Sequence, residues 1–268
     1  MNDKETNIGG SELYWAIEAA RAGGGVLKEM VAEPHQVMYK SPKSPVSDAD
    51  ISSEAAIIDV LHGQFPQHEI LTEENAKSEL SSDILPRFLW VIDPLDGTTN
   101  FIRGIPFFCV SIALFVQSKL RLGVVYDPLR DESYLAEYGS KGYLGTIPLK
   151  VTATSGLRSG LIGFDWPRSD ALRKRCTEYV GQLATSARSL RVMGSAALAL
   201  GYVARGILDG YFHLDSDPWD AAAGIILVES SGGKVTGLEG QPWDINTRAF
   251  LASNGKLHSE LVNMFGKD

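Results

Sequence analysis

The order in which helical and strand-like patterns follow one another is the feature that most constrains this fold. Apolar residues at helical spacing cover residues 11–33, and a second helical pattern covers 53–61. Strand-like runs come next, at 89–92, 107–117, 120–126 and 133–138. Helices followed by a meandering sheet predict an architecture in which helices cover a sheet.

The second half of the chain alternates more regularly. Strands are predicted at 161–164, 189–192, 207–213 and 248–252, and helices at 169–186, 195–205, 218–230 and the C-terminus. No repeat, low-complexity tract or linker rich in Gly, Ser or Pro divides the 268 residues. We therefore predict layered mixed sheets in a single domain over residues 1–268. Its subregions would be about 1–150, helices plus a meandering sheet, and 151–268, α/β.

Three consecutive glycines, Gly23–Gly25, interrupt the first helical pattern. Each costs a helix about 1 kcal/mol relative to alanine, so a bend or a close helix crossing is expected there. Residues 34–47 are rich in Pro, Lys and Ser and predict a loop or an irregular hairpin.

The composition excludes several classes of protein. A hydrophobic share of 44% is that of a globular chain, and two cysteines are too few for a disulfide framework. The formal charge of −8 disfavours nucleic acid and anionic membranes as main partners. No apolar stretch reaches the roughly 18 residues of a membrane span, and no signal peptide is visible, so a cytoplasmic location is expected. For an anionic substrate, a divalent cation held by carboxylates would offset the repulsion.

Two acidic residues, Asp93 and Asp96, stand at the end of the buried strand predicted at 89–92. The intervening Pro-x-Asp-Gly pattern predicts a turn that brings the second carboxylate beside the first. Carboxylate and carbonyl oxygens suit Mg²⁺ or Mn²⁺. Gly97 lets the backbone approach a ligand, and Thr98 offers a hydroxyl and an amide that could hold a phosphate.

Other acids stand at the ends of predicted elements. Glu73 and Glu74 follow an apolar stretch, and adjacent residues leaving a strand point to opposite sides, so one could face a site. Asp50 precedes the second helix, and Asp220 lies in the first turn of the helix at 218–230. Considered alone, each is equally well explained as a solvated loop acid or as a helix cap.

No other catalytic motif competes with these acids. The sequence has no G-x-S-x-G, no phosphate loop, no G-x-G-x-x-G and no C-x-x-C. Its five histidines show no H-x-x-x-H spacing, and only His213 lies close before Asp220.

Taken together, the motifs resemble those of the inositol monophosphatase family of Mg²⁺-dependent phosphatases. The resemblance rests on the segments Thr72–Glu74, Trp90–Phe101, Gly194–Ala197 and Trp219–Gly224, the last running on to Gly233. It covers essentially the whole chain in the same order. It implies the layered α-β-α-β-α sandwich of the inositol monophosphatase and fructose-1,6-bisphosphatase type, a homodimer and inhibition by Li⁺.

The resemblance also implies a role for each matched residue. The first Mg²⁺ would be held by Glu73, Asp93 and the Leu95 carbonyl, and the second by Asp93, Asp96 and Asp220. A third metal near Glu73 is an option, and Mn²⁺ is a possible substitute. The catalytic residues would be Glu73 and Thr98, helped by Asp50, which orient and deprotonate a water. Substrate-binding residues would be Gly97, Thr98, Gly194, Ser195, Ala196 and His213.

The position of His213 departs from the family pattern, because inositol-specific members carry a Glu there that binds sugar hydroxyls. A neutral histidine cannot offer the paired acceptors of a carboxylate. We therefore expect a phosphoric monoester hydrolase acting on a small polyol or sugar phosphate, with inositol-1-phosphate as first candidate. Histidinol phosphate, fructose-1,6-bisphosphate and, more weakly, 3′-phosphoadenosine 5′-phosphate stay open as alternatives. A non-catalytic partner-binding protein and a Ca²⁺-binding module are alternatives of other classes.

Overall fold

The first two helices pack tightly against each other. The computed structural model describes residues 10–33, 37–41, 44–75 and 85–266. Helices α1 (Gly10–Met30) and α2 (Asp48–Gln64) flank a short antiparallel hairpin, β1 (Val37–Ser41) and β2 (Ser44–Ser47). Helix α1 runs unbroken through the three glycines, and a Cβ added at Gly23 would lie 2.6 Å from Ile57 of α2. Of the two expectations, the close helix crossing is therefore confirmed.

The first sheet has seven strands that follow one another in chain order. They are β3 (Glu69–Thr72), β4 (Phe88–Asp96), β5 (Cys109–Val116), β6 (Lys119–Asp127), β7 (Glu132–Glu137), β8 (Tyr143–Leu144) and β9 (Ile147–Pro148). Only β3 and β4 pair in parallel, and the other neighbours are antiparallel. A short helix, α3 (Thr98–Ile102), follows β4 directly.

The second sheet has five strands in the order β11-β10-β12-β14-β13. They are β10 (Leu161–Phe164), β11 (Ser189–Val192), β12 (Gly210–His213), β13 (Lys234–Gly237) and β14 (Phe250–Ser253). The remaining helices are α4 (Asp170–Ser186), α5 (Ala196–Ala204), α6 (Pro218–Ser230) and α7 (His258–Phe265). Strand β10 is parallel to both of its neighbours, so β10, β11 and β12 end at the same edge of the sheet.

Three hydrophobic clusters define the layers. One joins α1 and α2 to a face of the first sheet, a second holds α5 and α6 between the two sheets, and a third joins α4 and α7 to the outer face of the second sheet. Strand β4 contributes to two of these clusters. Trp90 packs in the cluster of α1 and α2, and the next residue, Val91, packs in the cluster of α5 and α6. Strands buried on both faces are apolar at consecutive positions. The predicted α-β-α-β-α layering is confirmed.

Several boundaries differ from the predicted ones. Helix α2 begins at Asp48 rather than residue 53, and β4 continues through Pro94 to Asp96 instead of ending in a turn. Strand β12 begins only at Gly210, because the amides of Ile207 and Leu208 bond back to the Tyr202 carbonyl in a turn. Strands β8, β9 and β13 and helix α3 were not predicted. No helix in the described ranges is long and apolar enough to cross a membrane.

Candidate active site

A bulge at the end of β4 sets the positions of its two acids. Asp93 pairs with Ser111 of β5 and Asp96 with Cys109, so three steps along β4 match two along β5. An extra residue in one strand re-aims the side chains that follow it. Asp93 and Asp96, three residues apart, consequently line the same pocket. The bulge, rather than the expected turn, brings the second carboxylate to the same pocket as the first.

Ten of the twelve predicted site residues line one pocket of about 350 Å³. Its lining includes Glu73, Asp93, Leu95, Asp96, Gly97, Thr98, Gly194, Ala196, His213 and Asp220. Ser195 and Asp50 are not part of the lining, and both are almost fully buried behind it. Residues more than 140 positions apart in sequence are therefore brought to one cavity.

The Asp96 carboxylate holds the start of helix α5. Its Oδ2 accepts hydrogen bonds from the Ser195 hydroxyl at 2.6 Å and the Ala197 amide at 2.7 Å, and its Oδ1 accepts one from the Ala196 amide at 3.2 Å. Burial raises the pKa of Asp96 to about 6, and these hydrogen bonds oppose the rise. The Ser195 hydroxyl is thus directed at Asp96 behind the lining.

Two glycines allow the end of β4 and the turn before α5 to meet. Gly97 has φ +100° and Gly194 has φ +79°, a region that side chains disfavour. A Cβ at Gly97 would lie 3.0 Å from the Gly194 carbonyl oxygen, and one at Gly194 would lie 2.6 Å from Asn100. The Asn100 amide also donates to the Phe107 and Met193 carbonyls. The backbone contact therefore requires glycine on both sides.

Asp165 is a site residue that the sequence analysis missed. It follows β10 directly, lines the pocket, and its Oδ1 accepts hydrogen bonds from the amides of Met193 and Gly194. Its Oδ2 accepts one from the Tyr211 hydroxyl at 2.7 Å. Burial raises the pKa of Asp165 to about 7. An acid directly after a predicted strand is the same signal that singled out Asp93, so the signal was present.

Asp50 both caps a helix and orients a hydroxyl. Its Oδ2 accepts from the Ser47 amide at 2.7 Å, and its Oδ1 accepts from the Thr98 hydroxyl at 3.0 Å. Burial raises the pKa of Asp50 to about 6. The helix-cap interpretation of Asp50 is therefore confirmed, and the role predicted for it in the site stays a prediction.

The acids of the pocket repel one another. Burial raises the pKa of Asp93 well above its ordinary value, and the charges of Glu73, Asp96 and Asp220 raise it further. The pKa of Asp220 is also raised well above its ordinary value by burial, although Arg168 opposes the rise. Within the described residues, no three His, Cys, Asp or Glu side chains are gathered into a compact metal-binding group. The donors, carboxylates with the nearby Leu95 carbonyl, are those that hard divalent cations prefer.

Helix α6 begins with Asp220 as part of its cap. The Asp217 amide donates to Asp220 Oδ2 at 2.7 Å, which fixes the carboxylate at the helix N-terminus. Asp217 in turn pairs with Arg168 at 2.6 Å and with Arg248 at 2.5 Å. Capping thus orients the Asp220 side chain toward the pocket without removing it from the site.

His213 is the last residue of β12 and lines the pocket. Its Nδ1 accepts a hydrogen bond from the Asp215 amide at 3.0 Å, so the neutral ring carries its proton on Nε2. Burial and the nearby Arg168 lower the pKa of His213 to about 4. At neutral pH the ring is uncharged, with Nε2–H as a hydrogen-bond donor.

The comparisons with known proteins agree with this geometry. A sequence profile of the inositol monophosphatase family matches residues 11–266. The inositol-1-monophosphatase of Synechocystis sp. is 37% identical over 93% of this chain and 86% of its own. The Nus factor SuhB of Pasteurella multocida is 37% identical over 94% of each chain. The crystal structure of the extragenic suppressor protein suhB from Bartonella henselae superimposes with a TM-score of 0.90 at 33% identity, covering 96% of this chain and 99% of that one.

The chain belongs to the inositol monophosphatase family. Membership supports a phosphatase of this superfamily. The names of the relatives divide between inositol monophosphatase and Nus factor SuhB, and the second name specifies no ester.

Proposed function

We propose that this protein is a metal-dependent phosphomonoesterase that hydrolyses a small polyol or sugar phosphate. The observation that carries the proposal is the convergence of four carboxylates, Glu73, Asp93, Asp96 and Asp220, with Thr98 on one pocket. Four like charges in a cavity on a chain of charge −8 would repel a phosphate unless cations bind first. Metal binding and phosphate binding are therefore linked in this proposal.

The donor set fits Mg²⁺. Glu73, Asp93 and the Leu95 carbonyl would hold one ion, and Asp93, Asp96 and Asp220 a second, with Mn²⁺ as a substitute. Asp93 would contribute to both ions. When bound, the metal neutralises phosphoryl oxygens and lowers the pKa of a coordinated water. A third ion near Glu73 is also proposed.

Thr98 and Glu73 would activate the attacking water. The Thr98 hydroxyl lies within hydrogen-bond distance of two acceptors, Asp50 Oδ1 at 3.0 Å and the Leu95 carbonyl at 3.2 Å. With its proton donated to Asp50, its lone pairs are left to accept a hydrogen bond from a water. Glu73 is the proposed acceptor of the proton that this water loses. Asp50, which does not line the pocket, is a positioning residue that sets the orientation of the Thr98 hydroxyl.

The backbone of Gly97 and Thr98 would contact the phosphate, and Gly194 and Ala196 the alcohol part of the ester. The predicted contact by Ser195 is proposed in an indirect form, through its hydrogen bond to Asp96. Inositol-1-phosphate is the first candidate substrate. His213 offers a single donor where a carboxylate would offer paired acceptors, so histidinol phosphate and fructose-1,6-bisphosphate are tested beside it.

A single unit over residues 1–268 is also proposed, supported by the cluster that packs α5 and α6 between both sheets. The homodimer, the inhibition by Li⁺ and the cytoplasmic location stay predictions.

Release of inorganic phosphate from a panel of esters tests the proposal. The panel holds inositol-1-phosphate, histidinol phosphate, fructose-1,6-bisphosphate, 3′-phosphoadenosine 5′-phosphate and glycerol-2-phosphate, each with Mg²⁺ and with EDTA. We expect release that requires Mg²⁺ and favours one ester. A folded protein that releases no phosphate from any of them would contradict the proposal and favour the non-catalytic partner-binding alternative.

A further inference from the structure

One face of helix α2 contacts three segments that supply the candidate site. Asp50, Ser53 and Glu54 are spaced i, i+3 and i+4, so their side chains lie on the same face of the helix. Asp50 accepts a hydrogen bond from the first hydroxyl after β4, and the Ser53 hydroxyl donates to the Pro94 carbonyl in the bulge at 2.8 Å. Glu54 accepts a hydrogen bond from the hydroxyl of Thr72, at the end of β3. Only the first of these contacts has a role in the proposed mechanism.

The contact between Glu54 and Thr72 supports the turn that carries Glu73. Thr72 is fully buried, and its hydroxyl donates to Glu54 Oε1. The Thr72 hydroxyl oxygen accepts from the Asn75 amide at 3.0 Å, and the Thr72 amide donates to Asn75 Oδ1 at 2.9 Å. Glu73 lies inside this turn, and its own amide donates to the Ile92 carbonyl of β4 at 3.2 Å. The backbone on both sides of Glu73 is therefore held in place.

Glu54 determines which way the buried hydroxyl points. An ionised carboxylate only accepts hydrogen bonds, so the Thr72 proton is directed at Glu54 and the lone pairs of the same oxygen are left for the Asn75 amide. Without Glu54 this hydroxyl loses its acceptor, and a buried donor without a partner is costly. Glu54, Thr72 and Asn75 are not part of the pocket lining, so they act on the site only through Glu73.

We propose that Glu54 is a positioning residue, which acts through Thr72 to fix Glu73 in the orientation that binds a divalent cation. Groups behind a metal-binding side chain orient it, and their replacement typically lowers metal affinity about 10–100-fold. This inference rests on the proposed metal-dependent function and adds a residue outside the pocket to it.

Binding of Mn²⁺ alone, measured by isothermal titration calorimetry without substrate, tests the inference. The variants are Glu54→Ala, Glu54→Gln and, as a control with the same loss of charge, Asp59→Asn. Asp59 is exposed on the same helix and does not line the pocket. Glu54→Gln removes the charge but keeps an oxygen that can accept from the Thr72 hydroxyl, so it separates the hydrogen bond from the charge.

We expect the Kd for Mn²⁺ to rise about 10-fold in Glu54→Ala, to rise less in Glu54→Gln and to stay unchanged in Asp59→Asn. The Mg²⁺ concentration that gives half-maximal phosphate release should rise in the same order. A merely structural role for Glu54 would lower the free energy of unfolding in EDTA and leave the Kd of the folded protein unchanged.

Two substitutions of Thr72 test the route through which Glu54 acts. Thr72→Val removes the hydroxyl and keeps the branched shape, whereas Thr72→Ser keeps the hydroxyl. We expect a raised Kd for Mn²⁺ in Thr72→Val and nearly wild-type affinity in Thr72→Ser. The double variant Glu54→Ala/Thr72→Val should bind Mn²⁺ no more weakly than Thr72→Val, because both changes break one hydrogen bond. Effects that multiply in the double variant would overturn the inference.

Wild-type affinity for Mn²⁺ in folded Glu54→Ala would also overturn it while leaving the phosphatase function intact. If Glu54→Ala does not fold, equal affinities of Thr72→Val and Thr72→Ser overturn it instead. A wild-type protein that binds neither Mn²⁺ nor Mg²⁺ contradicts the proposed function itself, and the inference is overturned with it. The two failures are distinguishable because the first is observed in the variants and the second in the wild-type protein.

Discussion

The ends of strands β4 and β10 perform the same structural task with different consequences. Each places a buried carboxylate against the segment 193–197: Asp165 accepts hydrogen bonds from its first two amides, and Asp96 from Ala196, Ala197 and the Ser195 hydroxyl. Asp96 also shares its pocket wall with Asp93, whereas Asp165 is the sole acid at the end of β10. In the proposed mechanism, the first sheet therefore supplies acids for the chemistry, and the second holds the segment proposed to lie against the substrate.

Removing an acid from the end of β4 should have the largest effect. We expect Asp93→Asn to lower kcat about 1,000-fold or more, since a residue proposed to contribute to both metal sites is lost, worth several kcal/mol in the transition state. The free energy of unfolding in EDTA should not fall, because the substitution removes the repulsion between the Asp93 carboxylate and those of Glu73, Asp96 and Asp220. Steady-state kinetics and urea unfolding measure the two quantities. Full activity of Asp93→Asn would break the division between the sheets. Asp220→Asn, in the first turn of α6, is the companion variant, and its full activity would contradict the proposed metal ligands.

Substitutions of Asp165, at the end of β10, should lower the stability of the protein. Asp165→Ala leaves the Met193 and Gly194 amides and the Tyr211 hydroxyl without their acceptor, and we expect the free energy of unfolding to fall by about 2–4 kcal/mol. Asp165→Asn keeps one carboxamide oxygen for the two amides and should lose less. Urea denaturation of both variants checks this. Equal losses would mean that the amides do not depend on this acceptor.

The raised pKa of Asp165 should make the stability of the protein depend on pH. Its pKa is about 7 in the folded state against an ordinary 3.8, so between these values the folded protein binds a proton that the unfolded chain releases. Stability contributed by the protonated group is therefore lost as pH rises from about 4 to 7, by at most about 1.4 kcal/mol per pH unit. His213 and His258, with pKa values lowered to about 4, act in the opposite direction.

Because the histidines are common to the wild-type protein and Asp165→Asn, their contribution cancels in the difference between the two. We expect the unfolding free energy of the wild-type protein in EDTA to decline relative to that of Asp165→Asn as pH rises from 4 to 7. Parallel curves would show that Asp165 does not bind a proton in the folded state.

The smallest effect is expected at the end of β12. His213→Glu places a carboxylate on the pocket wall, where it can accept paired hydrogen bonds from sugar hydroxyls. We expect its preference for inositol-1-phosphate over glycerol-2-phosphate to rise about 5-fold, the effect of one hydrogen bond of about 1 kcal/mol. An unchanged ranking of the two esters would show that residue 213 does not face the substrate.

Local patterns predicted much of this molecule. The limits of α6, β10 and β11 match the predicted ones, because α6 and β10 are apolar at most positions and β11 alternates polar with apolar residues. The strands β8 and β9 were missed because each is two residues long and carries no periodicity. The bulge in β4 was also missed, since pairing with β5 defines it and the residues of β4 alone do not.

The sequence by itself determined the layered fold class and singled out the acids of the candidate site, since buried strands impose apolar runs and carboxylate oxygens are the donors that a divalent cation prefers. Only the tertiary structure decided which residues meet. The approach of Gly97 to Gly194 and the hydrogen bonds of Asp165 join segments far apart in the chain. Such contacts arise from the packing of two sheets around α5 and α6, and no local pattern encodes them.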